Sequence, residues 1–250
     1  MKKSQIAIFF IMGLILILSM ILYVVYLSTT KDNVSLDASI TPTSDQNSVK
    51  IYVDSCVKNL LDTAVIRIGE NGGFIQREPE FKIQYTEDQT FTFLYTGRAD
   101  FLPDVEEVER DIGQYIGENL VYCVDGFSTF QQRDWDITAG KINSSISIFD
   151  SGVAVNLKWI LQFKRDSTAF SLNDFSAGSN VPLGRILDKA RNIVEYSGYL
   201  QDEIDRGNIQ ETYEMQDLDA LAYQYPDSGI FLWIIKEKDY KFLFATELET

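Results

Sequence analysis

Apolar residues are distributed along this chain in two ways. The first is a solid block. Ile6 to Leu27, IAIFFIMGLILILSMILYVVYL, holds no charged side chain. At about 1.5 Å per residue it reaches about 33 Å as a helix, enough for a ~30 Å hydrocarbon core with slight tilt, so it predicts a transmembrane helix. Ser28 to Ser48 is small, polar and aperiodic, the pattern of a flexible stalk. From Val49 onward apolar positions are periodic instead, with helical and strand periods taking turns.

Val53, Cys56, Val57, Leu60, Leu61, Ala64, Val65 and Ile68 share one face of a helix over Val49–Gly69. Glu70-Asn71-Gly72-Gly73 stops it, because Asn and Gly accept left-handed backbone. Phe81 to Tyr85 and Thr90 to Tyr95, joined by Glu87-Asp88-Gln89, predict a β-hairpin with Phe91, Phe93 and Tyr95 as sheet core. A second helix opens at Pro103, where Asp104 and Glu107 make a capping-box pattern. Val108, Ile112, Tyr115, Ile116, Leu120 and Cys123 form its apolar face. Trp135 to Phe175 runs at period two. Turns at Asp150-Ser151-Gly152 and Arg165-Asp166-Ser167 divide it into three or four antiparallel strands, one face on helices and one in water. A long helix follows Pro182 to about Arg206, lined by Leu183, Ile186, Leu187, Ala190, Ile193, Val194, Leu200 and Ile204. A shorter helix is expected from about Gln210 to Gln224, with Leu218 and Leu221 on its buried side. Ile230–Ile235 and Tyr240–Leu248 form a closing hairpin. This order argues an α+β fold and not a βαβ series. The expected organisation is an N-terminus at 1–5, a transmembrane helix at 6–27, a stalk at 28–48, and an extracytoplasmic domain of helices packed on antiparallel sheet at 49–250.

Charge sets orientation and removes partners. Lys2 and Lys3 precede the apolar block and Lys31 follows it, which favours a cytoplasmic N-terminus and a domain outside, in the cell membrane as a single-pass protein. Tyr23 and Tyr26 suit the headgroup level at the outer end. A cleaved secretory signal is the alternative, but its apolar region is normally 7–15 residues and ends in small residues. The formal net charge is −15, and without Lys2 and Lys3 the remainder is more acidic still. Nucleic acid is thus excluded as a partner, since its binding needs a basic patch. No histidine occurs, so His-based triads, His metal sites and the usual neutral-pH base are absent.

The two cysteines, Cys56 and Cys123, both lie on core-facing stripes of different helices. In an oxidising compartment an even count reads as one disulfide; the plain alternative is two buried thiols. A bridge would close a loop of about 67 residues and contribute ~4 kcal/mol by loop entropy. Asp134 and Asp136 flank Trp135 before a strand, where two carboxylates on one face could serve as acid and base or hold calcium. An Asp-rich turn is the plainer reading, and Glu78 and Glu80 around Pro79 have the same status. Asp202, Glu203, Asp205 and Glu211 read as a solvated helix end. Gly69–Gly73 lacks the P-loop Lys, and Ser55 and Ser128 lack a histidine partner. No catalytic, cofactor-binding or metal-ligating residue is assigned, and no cofactor is implied. Asn33-Val-Ser and Asn143-Ser-Ser are glycosylation sequons.

The chain carries two resemblances. Lys2-Lys3-Ser4-Gln5 before a long apolar run resembles the processing site of archaeal type IV pilin-like proteins with class III signal peptides, with Phe9 where many pilins carry Glu. That resemblance implies a cut between Ser4 and Gln5, which leaves the apolar run attached. Tyr52-Val53-Asp54-Ser55-Cys56, Gly72-Gly73-Phe74-Ile75, Tyr115 to Leu120 with Cys123, Asn173-Asp174-Phe175, Pro182 to Ile186 and Lys241 to Ala245 together resemble a family of uncharacterised archaeal membrane-anchored proteins. The likeness covers nearly the whole chain. It implies an envelope protein with paired cysteines and brings no activity. The function expected is binding or assembly outside the membrane, with the bilayer through residues 6–27 and an envelope protein as partners. The alternatives are a pilin-like filament subunit and an extracytoplasmic hydrolase using acidic residues.

Overall fold

The structure is a computed structural model of the chain, and it describes residues 44–76, 81–87, 89–97, 99–205, 220–225 and 228–249. The fold is built around one helix, α1 (Ser44–Glu70), which starts ahead of the expected Val49 and takes in the end of the expected stalk. Residues 28–43 lie outside the described residues. The apolar stripe read from the sequence is the buried one: Val53, Val57, Leu61, Ala64, Val65 and Ile68 are at most 1% exposed. That stripe holds two sheets and a second helix together in one core.

The N-terminal half of α1 lies along a three-stranded antiparallel sheet of β4 (Asp136–Phe149), β5 (Gly152–Arg165) and β6 (Thr168–Ser179). In β5 every second residue from Val153 to Phe163 is buried and the residues between face water, as period-two burial requires. Both edges of this sheet are guarded by helix carboxylates. On the β6 edge, Ser176 N–H donates to Asp54 Oδ1 of α1 at 3.1 Å. On the β4 edge, Ile148 N–H donates to Glu109 Oε1 of α2 (Val105–Cys123) at 2.8 Å, and Ser144 Oγ donates to the Gly113 carbonyl at 2.9 Å. At Ser176 and Ile148 the edge N–H groups, which would otherwise template pairing with another chain, are thus satisfied.

The C-terminal end of α1 lies on the second sheet, whose strand order is β1 (Lys82–Thr86), β2 (Gln89–Thr96), β9 (Tyr240–Glu247), β8 (Ile230–Glu237), β7 (Ala220–Gln224), with β3 (Ala99–Asp100) also pairing β2. β2 and β9 run parallel. The expected all-antiparallel packing is corrected on this point: the first hairpin and the closing hairpin meet side by side, and their adjoining strands point the same way. A register shift between Phe93 and Tyr95 also breaks the expected alternation. Phe91 packs with Leu232, Leu243 and Ala245 on one face, while Leu94 and Tyr95 join the main core.

Among the described residues no helix is long and apolar enough to cross a membrane. The expected fold class, headed by a transmembrane helix, is corrected to an α+β fold of two sheets and three long helices; residues 6–27 lie outside the described residues. The third long helix is α4 (Leu183–Asp205), with α3 (Ser128–Gln131) a single turn before β4. Gln201 of α4 is buried and ties down the chain end reciprocally. Its Nε2–H donates to the Glu249 carbonyl at 3.0 Å, and Glu249 N–H donates to its Oε1 at 2.7 Å. The short helix expected to about Gln224 is a further correction, because residues 220–224 are strand β7 paired with β8, and Leu221 is exposed. A five-residue run offers too little period to separate helix from strand. The capping box at Asp104 does not form either. Asp104 is the N-cap residue but makes no side-chain cap bond; its Oδ1 accepts from Arg191 Nη2 at 3.4 Å, and Glu107 pairs with Arg110.

Where α1 meets β9, the Tyr240 phenol donates to the Val65 carbonyl at 3.0 Å. Burial, and secondarily the Glu70 charge, push its pKa above the ordinary tyrosine value. The stabilisation linked to the neutral phenol is complete below the unfolded pKa of about 10 and is lost as pH rises from there toward the folded value. Urea titrations should therefore show wild type losing up to ~1.4 kcal/mol per pH unit above pH ~10 from this group. Tyr240→Phe should cost about 1 kcal/mol at neutral pH and flatten that alkaline slope. Parallel slopes in the two proteins would contradict it.

Candidate functional site

The chain leaves α2 in an unusual way. Cys123 is its last residue, Val124 caps it, and three successive residues, Asp125, Gly126 and Phe127, have φ of 47°, 56° and 63°. Left-handed backbone at Phe127 is costly for a bulky side chain and persists only where surroundings enforce it. Here the ring is 3% exposed and sits 5.6 Å from both Trp159 and Phe163. The turn thus drives an aromatic side chain inward at the end of the helix.

Facing this turn, β4 carries a bulge. Between Ala139 and Ile142 the register against β5 shifts, so Gly140 and Lys141 stand opposite the single residue Ile160. The freed Gly140 carbonyl accepts from Trp159 Nε1–H at 3.0 Å, which fixes the indole beside Phe127. Helix, turn and bulge border an open cleft of about 480 Å³, walled by Val121 and Val124, floored by Phe127 and Trp159, and flanked by Ile137 and Ile142. No charged side chain lines it. Its volume is in the range of small-ligand sites, and its apolar lining with a few backbone polar groups is their usual composition. Gly117 and Gly126 also line it, and a Cβ at either would meet nothing within 4 Å. The space in front of both is open to an occupant.

The cysteines adjoin this cleft. Their sulfurs are at bonding distance, with Cα atoms 5.8 Å apart, so α1 and α2 pack side by side as the bridge demands. Tyr52 of α1 reaches the same place, its hydroxyl donating to the Cys123 carbonyl at 3.4 Å and its ring 5.8 Å from Phe130. The α2 terminus that walls the cleft is therefore held from α1 by one covalent link and one hydrogen bond.

The carboxylates read as candidates do not converge. Asp134 and Asp136 are exposed on either side of Trp135, which is buried against Phe163 and Phe170 and covered by the Arg165 guanidinium at 4.3 Å. Asp134 has φ 62° and its N–H donates to the Gln131 carbonyl, so it ends a turn, while Asp136 opens β4 opposite Lys164, with the tryptophan seated between them. Asp202, Glu203 and Asp205 fall at the end of α4. Ser55 Oγ donates within its own helix to Ile51, and Ser128 Oγ to Asp125. Gly72 and Gly73, at φ 63° and 102°, end α1 with Gly73 N–H donating to the Ile68 carbonyl. Ser4, Gln5, Asn33, Glu78, Glu80, Glu211 and Leu218 lie outside the described residues. Among the described residues no three His, Cys, Asp or Glu side chains are placed to hold a metal ion. Sequence reasoning missed the cleft; its signal is three glycines, Gly117, Gly126 and Gly140, none of which serves as a helix stop.

Compared with known proteins, the chain matches no family model, no curated protein and no solved structure.

Proposed function

We propose that this chain is a cell-envelope protein whose domain works outside the cytoplasm by binding, with the Cys56–Cys123 disulfide formed there and bilayer contact made through residues 6–27. The resemblance to archaeal membrane-anchored proteins supports that placement. The observation that carries the binding reading is the uncharged cleft floored by Phe127 and Trp159. An uncharged apolar site selects a neutral apolar group, and burial of such a group contributes roughly 25 cal/mol per Å².

Gly117→Leu tests it, because a Cβ there meets nothing within 4 Å and the larger side chain takes up space at the cleft's lining. Titration with the neutral dye N-phenyl-1-naphthylamine should give saturable fluorescence enhancement with wild type and at least a tenfold weaker response with Gly117→Leu at equal stability. Equal enhancement in the two proteins, or none in either, would overturn the reading.

A further inference from the structure

The sequon at Asn143 falls on an accessible part of β4, just after its exposed run at 138–141. Asn143 and Ser145 are both exposed, and neither side chain hydrogen bonds to a described residue, whereas the intervening Ser144 turns inward to the Gly113 carbonyl. The neighbours across the sheet are exposed and polar: Lys158 opposite Asn143, then Asp174 opposite Lys158, and Asn156 opposite Ser145. Asn143 also stands at the rim of a second open groove, of about 550 Å³, between β4 and the Arg110, Gln114 and Glu118 side of α2. A bulky, strongly hydrated group attached at this position would displace no described hydrogen bond and would find polar partners beside it.

We propose that Asn143 carries an N-linked glycan. The inference rests on the outside location proposed above, because the acceptor must meet the donor across the membrane. The donor class is an oligosaccharide joined through diphosphate to a lipid. In the transfer, the Asn143 Nδ2 forms a bond to the anomeric carbon and releases one proton to water. The bond from that carbon to the phosphate oxygen breaks, and the lipid diphosphate leaves with the bonding pair. Ser145 supplies the hydroxyl that the sequon requires. A glycan here would also shield the β4 edge ahead of the stretch that Glu109 guards, blocking pairing with a second sheet.

The test is glycopeptide mass spectrometry of the full chain purified from envelopes of its own cells, with thiols alkylated before lysis. The Asn143 peptide should carry a sugar mass. Ser145→Ala, which keeps the asparagine, and Asn143→Gln should both lose that mass from the intact protein while remaining as stable as wild type. An unmodified Asn143 in wild type overturns the proposal. If Cys56 and Cys123 are bonded in that same sample, the outside location stands and only the glycan falls; if both thiols are alkylated, the location falls with it.

Discussion

Replacing both cysteines, by Cys56→Ala with Cys123→Ala, should lower the unfolding free energy by about 4 kcal/mol. The residues are 67 apart in sequence, so the bridge removes a large loop from the unfolded ensemble. Packing adds to the effect, since Cys56 is 5% exposed on the core face of α1. The loss should also be felt at the cleft. Val121 and Val124 flank Cys123 at the end of α2, and without the link only the Tyr52 bond and side-chain packing hold that end to α1. Urea unfolding of the double variant should show the lower midpoint, and dye binding should weaken at concentrations of urea where wild type still binds. A cost below ~1 kcal/mol would mean that helix packing alone fixes the α1–α2 pair.

Gly69→Ala should destabilise the domain by about 2–3 kcal/mol, although alanine is the better helix former by about 1 kcal/mol. An added Cβ would lie on the Lys241 carbonyl oxygen, inside contact distance, and 2.8 Å from the Tyr240 ring and hydroxyl. Both neighbours belong to the start of β9, so relief requires α1 to lift from the sheet and strains the Tyr240–Val65 hydrogen bond. In a domain of this size the melting temperature should fall by about 5–10 °C. Gly117→Ala is the matched control. It is also a helical glycine, in the body of α2 where Gly69 is in the last turn of α1, but nothing lies within 4 Å of its Cβ, and the substitution should be neutral or stabilising by up to ~1 kcal/mol. Equal behaviour of the two variants would remove the close approach as the cause.

The contrast between these glycines shows where the sequence was readable. Stripes such as Val53 to Ile68 and alternations such as Val153 to Phe163 state their burial directly, because one face meets a core and the other meets water. The three long helices, the meander and both hairpins follow from them, and they place the two cysteines on neighbouring helices. The parallel meeting of β2 with β9 does not, since no local pattern encodes which hairpin edges adjoin. The strand at 220–224 was hidden by its brevity. The cleft was hidden because its makers are exceptions to pattern: a left-handed Phe127, a bulge at Gly140, and a helix glycine that packs on nothing. The acidic pairs were visible and misleading, since Asp134 and Asp136 frame a buried tryptophan and face water.

The proposed function requires an oxidising compartment and a bond between Cys56 and Cys123 beside the cleft. Non-reducing peptide mapping of protein alkylated in intact cells measures this directly. The predicted result is a single linked species joining the Cys56 and Cys123 peptides; full alkylation of both cysteines would contradict it.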